Sequence, residues 1–248
     1  MAIEIKKDPP ILADAAIWLK AGAITGTDDG GAITLWEDAS KNEHAAMAKL
    51  DQQPVYVAEG INGLPSVRFD GTQHMKLPTT GDLGIVTGDY EIFIVARTDR
   101  AEGQFLLAAA TPQGIGQYEL HVNHPWLDVG YNFLPSTGVH LTTGKKTQYV
   151  GSAHVFAARI VDGVAYAVVD GDTASAASGP ETSPRLDLPL VLGARGSGGL
   201  PLIGDVAEVL IYNAVLKEDQ RTQVLEYLQT KYGLATQAYY PSHSGDVR

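Results

Sequence analysis

Apolar and polar residues alternate in short runs along most of this chain. The clearest run is Tyr90–Thr98, where Tyr90, Ile92, Ile94 and Ala96 alternate with Glu91, Phe93, Val95 and Arg97. Both sets are largely apolar, so the run predicts a strand covered on both faces. Similar runs over 15–21, 33–37, 66–71, 74–78, 103–110, 118–123, 126–132, 154–161, 164–170 and 188–194 predict further strands. Pro54-Val55-Tyr56 and Asn62-Gly63-Leu64-Pro65 frame shorter segments, and Asp162-Gly163 between two strand patterns is a hairpin signal. Turn residues at this spacing are what a β-sandwich produces.

The last strand pattern, 204–213, is followed by a helical run from Leu216 to Gly233. Strict alternation puts Ala207, Val209 and Ile211 on one face and Val206, Glu208, Leu210 and Tyr212 on the other. Glu208 then sits among apolar neighbours and requires a partner. Asp205, three positions from Glu208, is expected on the opposite face. In the helical run, Val224, Leu225, Leu228 and Tyr232 form one apolar stripe. Glu218 and Asp219 suit its first turn, Lys231 its last, and Gly233 its end. The helix is expected to lie as a lid over a β structure. No helix-length pattern precedes residue 216. Residues 1–11 read as an extended arm, because Pro9-Pro10 disfavours helix. The Ser/Ala/Gly/Pro-rich stretches 174–187 and 196–201 read as loops, and 235–248 as a tail.

The final block carries a resemblance. Gly204, Ala207-Glu208-Val209, Tyr212-Asn213, Leu216 and Lys231-Tyr232-Gly233 resemble the end of a laminin-G-like domain of the concanavalin A-like lectin/glucanase superfamily. Trp18-Leu19-Lys20-Ala21 resembles the start of such domains. Trp36-Glu37-Asp38-Ala39-Ser40-Lys41-Asn42 resembles their Asp/Ser/Asn turn, and Arg68-Phe69-Asp70-Gly71 their second strong block. The resemblance covers residues 12–234. It implies an all-β, concanavalin A-like jelly-roll sandwich of two antiparallel sheets with one C-terminal α-helix. Arg68 is the expected ion-pair partner of Glu208 across neighbouring strands. Lys217 stands where the family usually has a Ser cap, which weakens the helix start by about 1 kcal/mol.

Charge narrows the partners. The chain has 29 acidic and 18 basic residues, a net charge of −11, and no basic stripe of the kind nucleic acid requires. With no cysteine, disulfides and thiolate metal sites are excluded. The N-terminus has no secretory apolar region, and no apolar run reaches membrane-spanning length.

A glycosidase needs two carboxylates about 5–10 Å apart, and the Glu-x-Asp-x-x-Glu strand of related glucanases is missing. Tyr118, His121 and Arg159 could form a lyase cluster, but the lyase strings are absent, and strand residues facing solvent is the plainer reading. His121 and His124 are separated by a turn sequence and do not make a zinc pair. The Lys145-Lys146 segment lacks the glycine spacing of a phosphate loop. A structural calcium ion is implied by the resemblance, with Asp205 as ligand; Asp28, Asp29 and Asp70 are other carriers, and turn formation is the competing role of such residues. A glycan platform is expected from Trp126 and Tyr131 with Asn123, Asp128 and Asn132. Core packing of those aromatics is the competing outcome.

The resulting expectation is a non-catalytic binding or structural module, on the surface of a bacteriophage virion as a capsid decoration or tail-associated subunit. It would be made in the host cytoplasm. Its partners would be capsid or tail proteins, other copies of itself, or a cell-surface glycan. A secreted bacterial adhesin or carbohydrate-binding module is the alternative, and a polysaccharide-degrading enzyme a third.

Overall fold

Short strands with tight turns between them place most residues in two layers. A computed structural model describes residues 8–86, 89–110, 116–124, 127–133, 139–140, 149–162, 164–178, 186–196 and 198–234. The chain begins with a single helical turn, α1 (Pro10–Ala13), then β1 (Ile17–Lys20), β2 (Leu35–Glu37), β3 (Ala45–Met47), β4 (Val55–Ile61) and β5 (Leu64–Asp70). Next come β6 (Met75–Thr79), β7 (Tyr90–Thr98), β8 (Gln104–Ala110), β9 (Gly116–His124), β10 (Leu127–Phe133) and β11 (Val139–His140). The chain continues through β12 (Ala153–Val161), β13 (Val164–Val169), β14 (Asp172–Ser178), β15 (Pro189–Leu192), β16 (Ile203–Tyr212) and α2 (Glu218–Tyr232).

The first sheet runs β14-β13-β12-β7-β16-β5-β4, with β1 also paired to β16. The second runs β11-β10-β9-β8-β15-β6-β3-β2. All strand pairs among the described residues are antiparallel. This is the expected all-β sandwich with one C-terminal helix. Trp36, Phe69, Tyr90, Phe156, Leu192 and Ile211 belong to the apolar layer between the sheets. A second apolar layer lies between the first sheet and α2, with Trp18, Phe93, Leu210, Leu225, Leu228 and Tyr232. Full burial of each such side chain contributes about 1.5–3 kcal/mol.

Three local features differ from expectation. Pro10 opens α1 rather than preventing it, because a proline at the first helical position gives up only an amide that would be unpaired anyway. The Ser/Ala-rich stretch after residue 171 forms β14, an edge strand. Asp170 (φ +53°) and Gly171 (φ +97°) make a two-residue turn that returns the chain along β13. Strand β3 has no counterpart in the alternation pattern, because three residues are too few for alternation to register.

The largest difference lies in β16. Its pairing with β7 slips between Val206 and Glu208, so Ala207 and Glu208 together oppose Val95. Beyond that bulge the faces exchange. Val206 packs with Val209 and Ile211 between the sheets, and Ala207 with Leu210 and Tyr212 beneath α2. Asp205 and Glu208 therefore share the outer face instead of opposing one another.

The expected Arg68–Glu208 ion pair does not form. Register sets Arg68 opposite Asp205, three residues from Glu208. Arg68 Nε and Nη2 donate to the two Asp205 oxygens at 2.9 and 2.8 Å, and Arg97 Nη2 also donates to Asp205 Oδ2. Opposite Glu208 the strand is β1, with Lys20 in register. Glu208 accepts from Trp18 Nε1 (2.6 Å), Tyr227 Oη (3.1 Å), Tyr232 Oη (2.8 Å) and Lys231 Nζ (2.6 Å). A third acid, Glu91, receives Arg221 Nε and Nη2 at 2.5 and 3.0 Å and the Leu216 amide at 3.2 Å. All three carboxylates are buried, and each has a cationic partner. The start of α2 is held by this Glu91 contact and by Gln220, whose Oε1 accepts from the Lys217 amide.

Burial, followed by the Glu208 charge, holds the Tyr232 phenol far above its usual range; burial and then Glu91 do the same for Tyr212.

Three measurements test this arrangement. A Cβ on Gly204 would lie 2.0 Å from the Arg97 carbonyl oxygen, so Gly204→Ala is expected to cost about 3 kcal/mol in urea unfolding. Glu208→Ala leaves Lys231 and three further donors without their acceptor. Its expected cost is also about 3 kcal/mol, against little change for the exposed Glu226→Ala. For the tyrosines, the folded state keeps its protons where the unfolded state loses them. Their contribution is therefore fully present below about pH 10 and lost as pH rises beyond it, by about 1.4 kcal/mol per pH unit for each group. Tyr232→Phe should flatten that alkaline decline, and an unchanged slope would show that Tyr232 is not the titrating group.

Candidate functional site

The buried acids cannot serve a substrate, because their side chains are buried and already matched to donors, Glu91 and Glu208 by α2 and Asp205 by Arg68 and Arg97. Asp205 is likewise not placed as a calcium ligand, since Arg68, Arg97 and Ser66 occupy its oxygens. Asp70 is exposed, and its Oδ1 accepts from the Thr72 amide (3.0 Å) and hydroxyl (2.7 Å). These bonds lower its pKa and commit it to the turn after β5. Among the described residues no group of three or more His, Cys, Asp or Glu side chains could hold a metal ion.

Sequence reasoning placed a glycan platform around residues 123–132. Trp126 lies outside the described residues. Asn123 falls in β9, and Asp128, Tyr131 and Asn132 fall in β10. The β9–β10 pairing sets Tyr131 opposite Leu120 and Asn132 opposite Glu119. These residues therefore share two neighbouring strands of the second sheet.

A His–Asp pair occurs where none was anticipated. His154 Nδ1 lies 2.7 Å from Asp170 Oδ2, while Asp170 Oδ1 accepts from the Val155 amide at 2.9 Å. Ser152 lines the same recess. However, His154 Nε2 is buried without a partner among the described residues, and the Tyr149 and Phe156 rings pack edge-on at 5.2 and 5.8 Å. A base whose free nitrogen is sealed has no access to a substrate proton. This pair closes the turn before β14, where the Asp170 carbonyl also accepts from Gln229 of α2.

Another recess, between Pro9 and α2, holds two carboxylates, Asp8 and Glu226, beside Tyr227 and Lys231. Asp8 bonds Lys20 at 2.9 Å, and Tyr227 and Lys231 both donate to Glu208. Glu226 is exposed on the helix, without the burial a general acid needs.

The remaining large cleft differs in kind. It measures about 780 Å³ and lies where β3 and β6 meet on the second sheet. Strand β3 buries Ala46 and turns Met47 outward; β6 buries Met75 and Leu77 and turns Lys76 outward. Register puts Met47 opposite Lys76, and the two share the exposed face. His44 is positioned by the preceding turn. There Asp38 accepts from the Trp18, Ser40 and His44 amides at 2.8, 2.8 and 3.1 Å. Asn42 anchors the same turn to the Ala15 carbonyl at 2.8 Å. The segment carrying Lys49 and Gln52 is tied to β6 by the His74 amide, which donates to the Gln52 carbonyl at 3.3 Å. At the far wall, Asp82 Oδ2 accepts from the Thr79 amide and hydroxyl at 3.2 and 2.7 Å.

Five polar side chains of this cleft, His44, Lys49, Gln52, His74 and Lys76, make no hydrogen bond or ion pair with the described residues. Burial, then the charges of Lys76 and Lys49, lowers the His74 pKa, so its ring is neutral at neutral pH and offers one donor and one acceptor. Sequence reasoning passed over this group. Its members come from two segments about thirty residues apart, and the only trace was the outward position of Met47 and Lys76 in short strands.

No protein-family model matches the chain, and no curated protein does. Solved structures share its fold. Domain 4 of AbnA, an extracellular GH43 arabinanase from Geobacillus stearothermophilus solved with arabinotriose, superposes with a TM-score of 0.60 at 16% identity, covering 86% of this chain and 98% of that one. The binding domain of Paraclostridial Mosquitocidal Protein 1 gives 0.63 at 11%, covering 88% and 53%. A Trypanosoma rangeli sialidase solved with the inhibitor DANA gives 0.56 at 13%, covering 84% of this chain but only 32% of the enzyme. The chain thus spans about a third of that sialidase. These likenesses establish a β-sandwich of this jelly-roll type.

Proposed function

We propose that this chain is a non-catalytic carbohydrate-binding module whose ligand lies in the cleft between β3 and β6. The observation that carries this reading is the set of uncommitted polar side chains converging on one open cleft, while the acids beneath α2 are sealed. Sugar recognition needs several hydrogen-bonding groups around a preformed concavity. Gln52, His44 and His74 supply such groups, and Met47 supplies an exposed apolar edge. Folds similar to this one support the reading, because they include an arabinanase domain solved with arabinotriose and a domain described as a binding domain. The laminin-G-like resemblance fits the same reading at the level of fold. The virion placement expected from the sequence rested in part on an arm and a tail, and residues 1–7 and 235–248 lie outside the described residues. No structural likeness above bears on a virion, and the carbohydrate-binding alternative is therefore preferred.

The test is a glycan array followed by NMR titration of the full chain with each hit. Backbone signals of Met47, Gln52 and Leu77 are expected to shift, and those of α2 to stay in place. A Met47→Ala/Gln52→Ala double variant should weaken binding about tenfold or more while keeping its unfolding midpoint. An array without hits, or shifts confined to β9 and β10, would remove the assignment to this cleft.

A further inference from the structure

We infer that the cleft selects acidic sugars, meaning glycans carrying a carboxylate or a sulfate, over neutral ones. This rests on the carbohydrate-binding reading and specifies its ligand class.

The chain as a whole is strongly acidic, at −11, yet this cleft is locally basic. Lys49 and Lys76 both reach it from exposed positions, and neither has an anionic partner among the described residues. Their charges act on one common point, since both depress protonation of His74, against a smaller opposing effect of Asp51. The carboxylate in the wall, Asp82, accepts from Thr79 and is tied to its own turn. Elsewhere this fold neutralises buried or half-buried charge locally, as with Arg68, Arg97, Arg221 and Lys231. Two cations left together on an acidic protein point to an anion supplied from outside.

His74 is the second, independent observation. It is 8% exposed, and its ring lines the cleft without a hydrogen-bond partner among the described residues. The ring nitrogens are not sealed in the protein, so their hydrogen-bonding capacity faces the cleft and is open to a ligand that displaces water. A bare anion would leave its acceptor nitrogen unused. A sugar acid supplies both requirements, with hydroxyls for the neutral imidazole and Gln52 and a negative group for the two ammonium groups. Exposed ammonium groups act through screened charge, so affinity should fall with salt.

The test uses the full chain in calorimetric titrations with sialyllactose, trigalacturonate, a sulfated disaccharide, neutral arabinotriose, and sodium sulfate alone. Acidic sugars should bind at least about tenfold more tightly than arabinotriose, and should weaken several-fold from about 50 to 300 mM NaCl. Lys49→Ala and Lys76→Ala, both at exposed positions, should each remove most of that preference, with Lys76→Arg restoring part of it. His74→Gln should weaken acidic sugars; if it unfolds the chain, the lysine variants still decide. The carboxylate and sulfate arms show which acid is preferred. Arabinotriose binding as tightly as the acidic sugars, with silent lysine variants, would overturn acidic selectivity and leave the carbohydrate-binding reading standing. Sulfate ion binding as tightly as the sugars would overturn the proposal in favour of a simple anion site. No binding of any sugar would overturn both readings.

Discussion

Three carboxylates are buried on one face of one sheet, and the arrangement of α2 follows from how they are neutralised. Glu91, Asp205 and Glu208 all lie on the outer face of the first sheet, around an apolar layer. A carboxylate there is stable only with a cation and further donors at bonding distance. Asp205 takes its cations from within the sheet, Arg68 and Arg97. Glu91 and Glu208 take theirs from α2, Arg221 near its start and Lys231 near its end. Apolar packing alone would hold the helix against the sheet without setting its position along it. Two charged attachments at opposite ends specify one placement.

That solution has consequences for binding. One outer face of the sandwich is closed by a helix and by polar groups that satisfy one another. The free polar side chains gather instead on the second sheet, where β3 and β6 turn Met47 and Lys76 outward. The contrast between the two histidines shows the difference. His154 is held by Asp170, with its other nitrogen sealed behind aromatic rings. His74 is the more buried residue, yet it lines an open cleft. The first is part of the packing, and the second is available to a ligand. Because this type of sandwich serves many unrelated purposes, that availability carries more functional weight than the architecture does.

Much of the architecture could be read directly from the residues. Alternation located most strands, and the 3.6-residue stripe located α2 and its end at Gly233, whose φ is +60°. The hairpins at Asn62-Gly63 and after Asp162 follow from side chains that tolerate positive φ. The Asp38/Ser40/Asn42 turn closes on itself as those side chains dictate, and Asn42 additionally docks onto the start of β1. These are local properties, decided by neighbours within a few positions, so composition and spacing are sufficient to reveal them.

What escaped the sequence depends on register and on contacts between distant segments. One bulged residue at Ala207 moves Asp205 onto the face of Glu208, and nothing in the composition of β16 announces it. Arg68 pairs with Asp205 because β5 meets β16 at that residue, whereas Glu208 is reached only after the chain of α2 folds back. The cleft between β3 and β6 has the same origin. His44, Lys49 and Gln52 have no chemical relation to His74 and Lys76 until β3 and β6 are paired. The sequence by itself determined a β-sandwich with a terminal helix, since alternation and turn chemistry are short-range. Only the tertiary structure decided which charges neutralise each other and which remain free, since that is settled by strand register and helix placement.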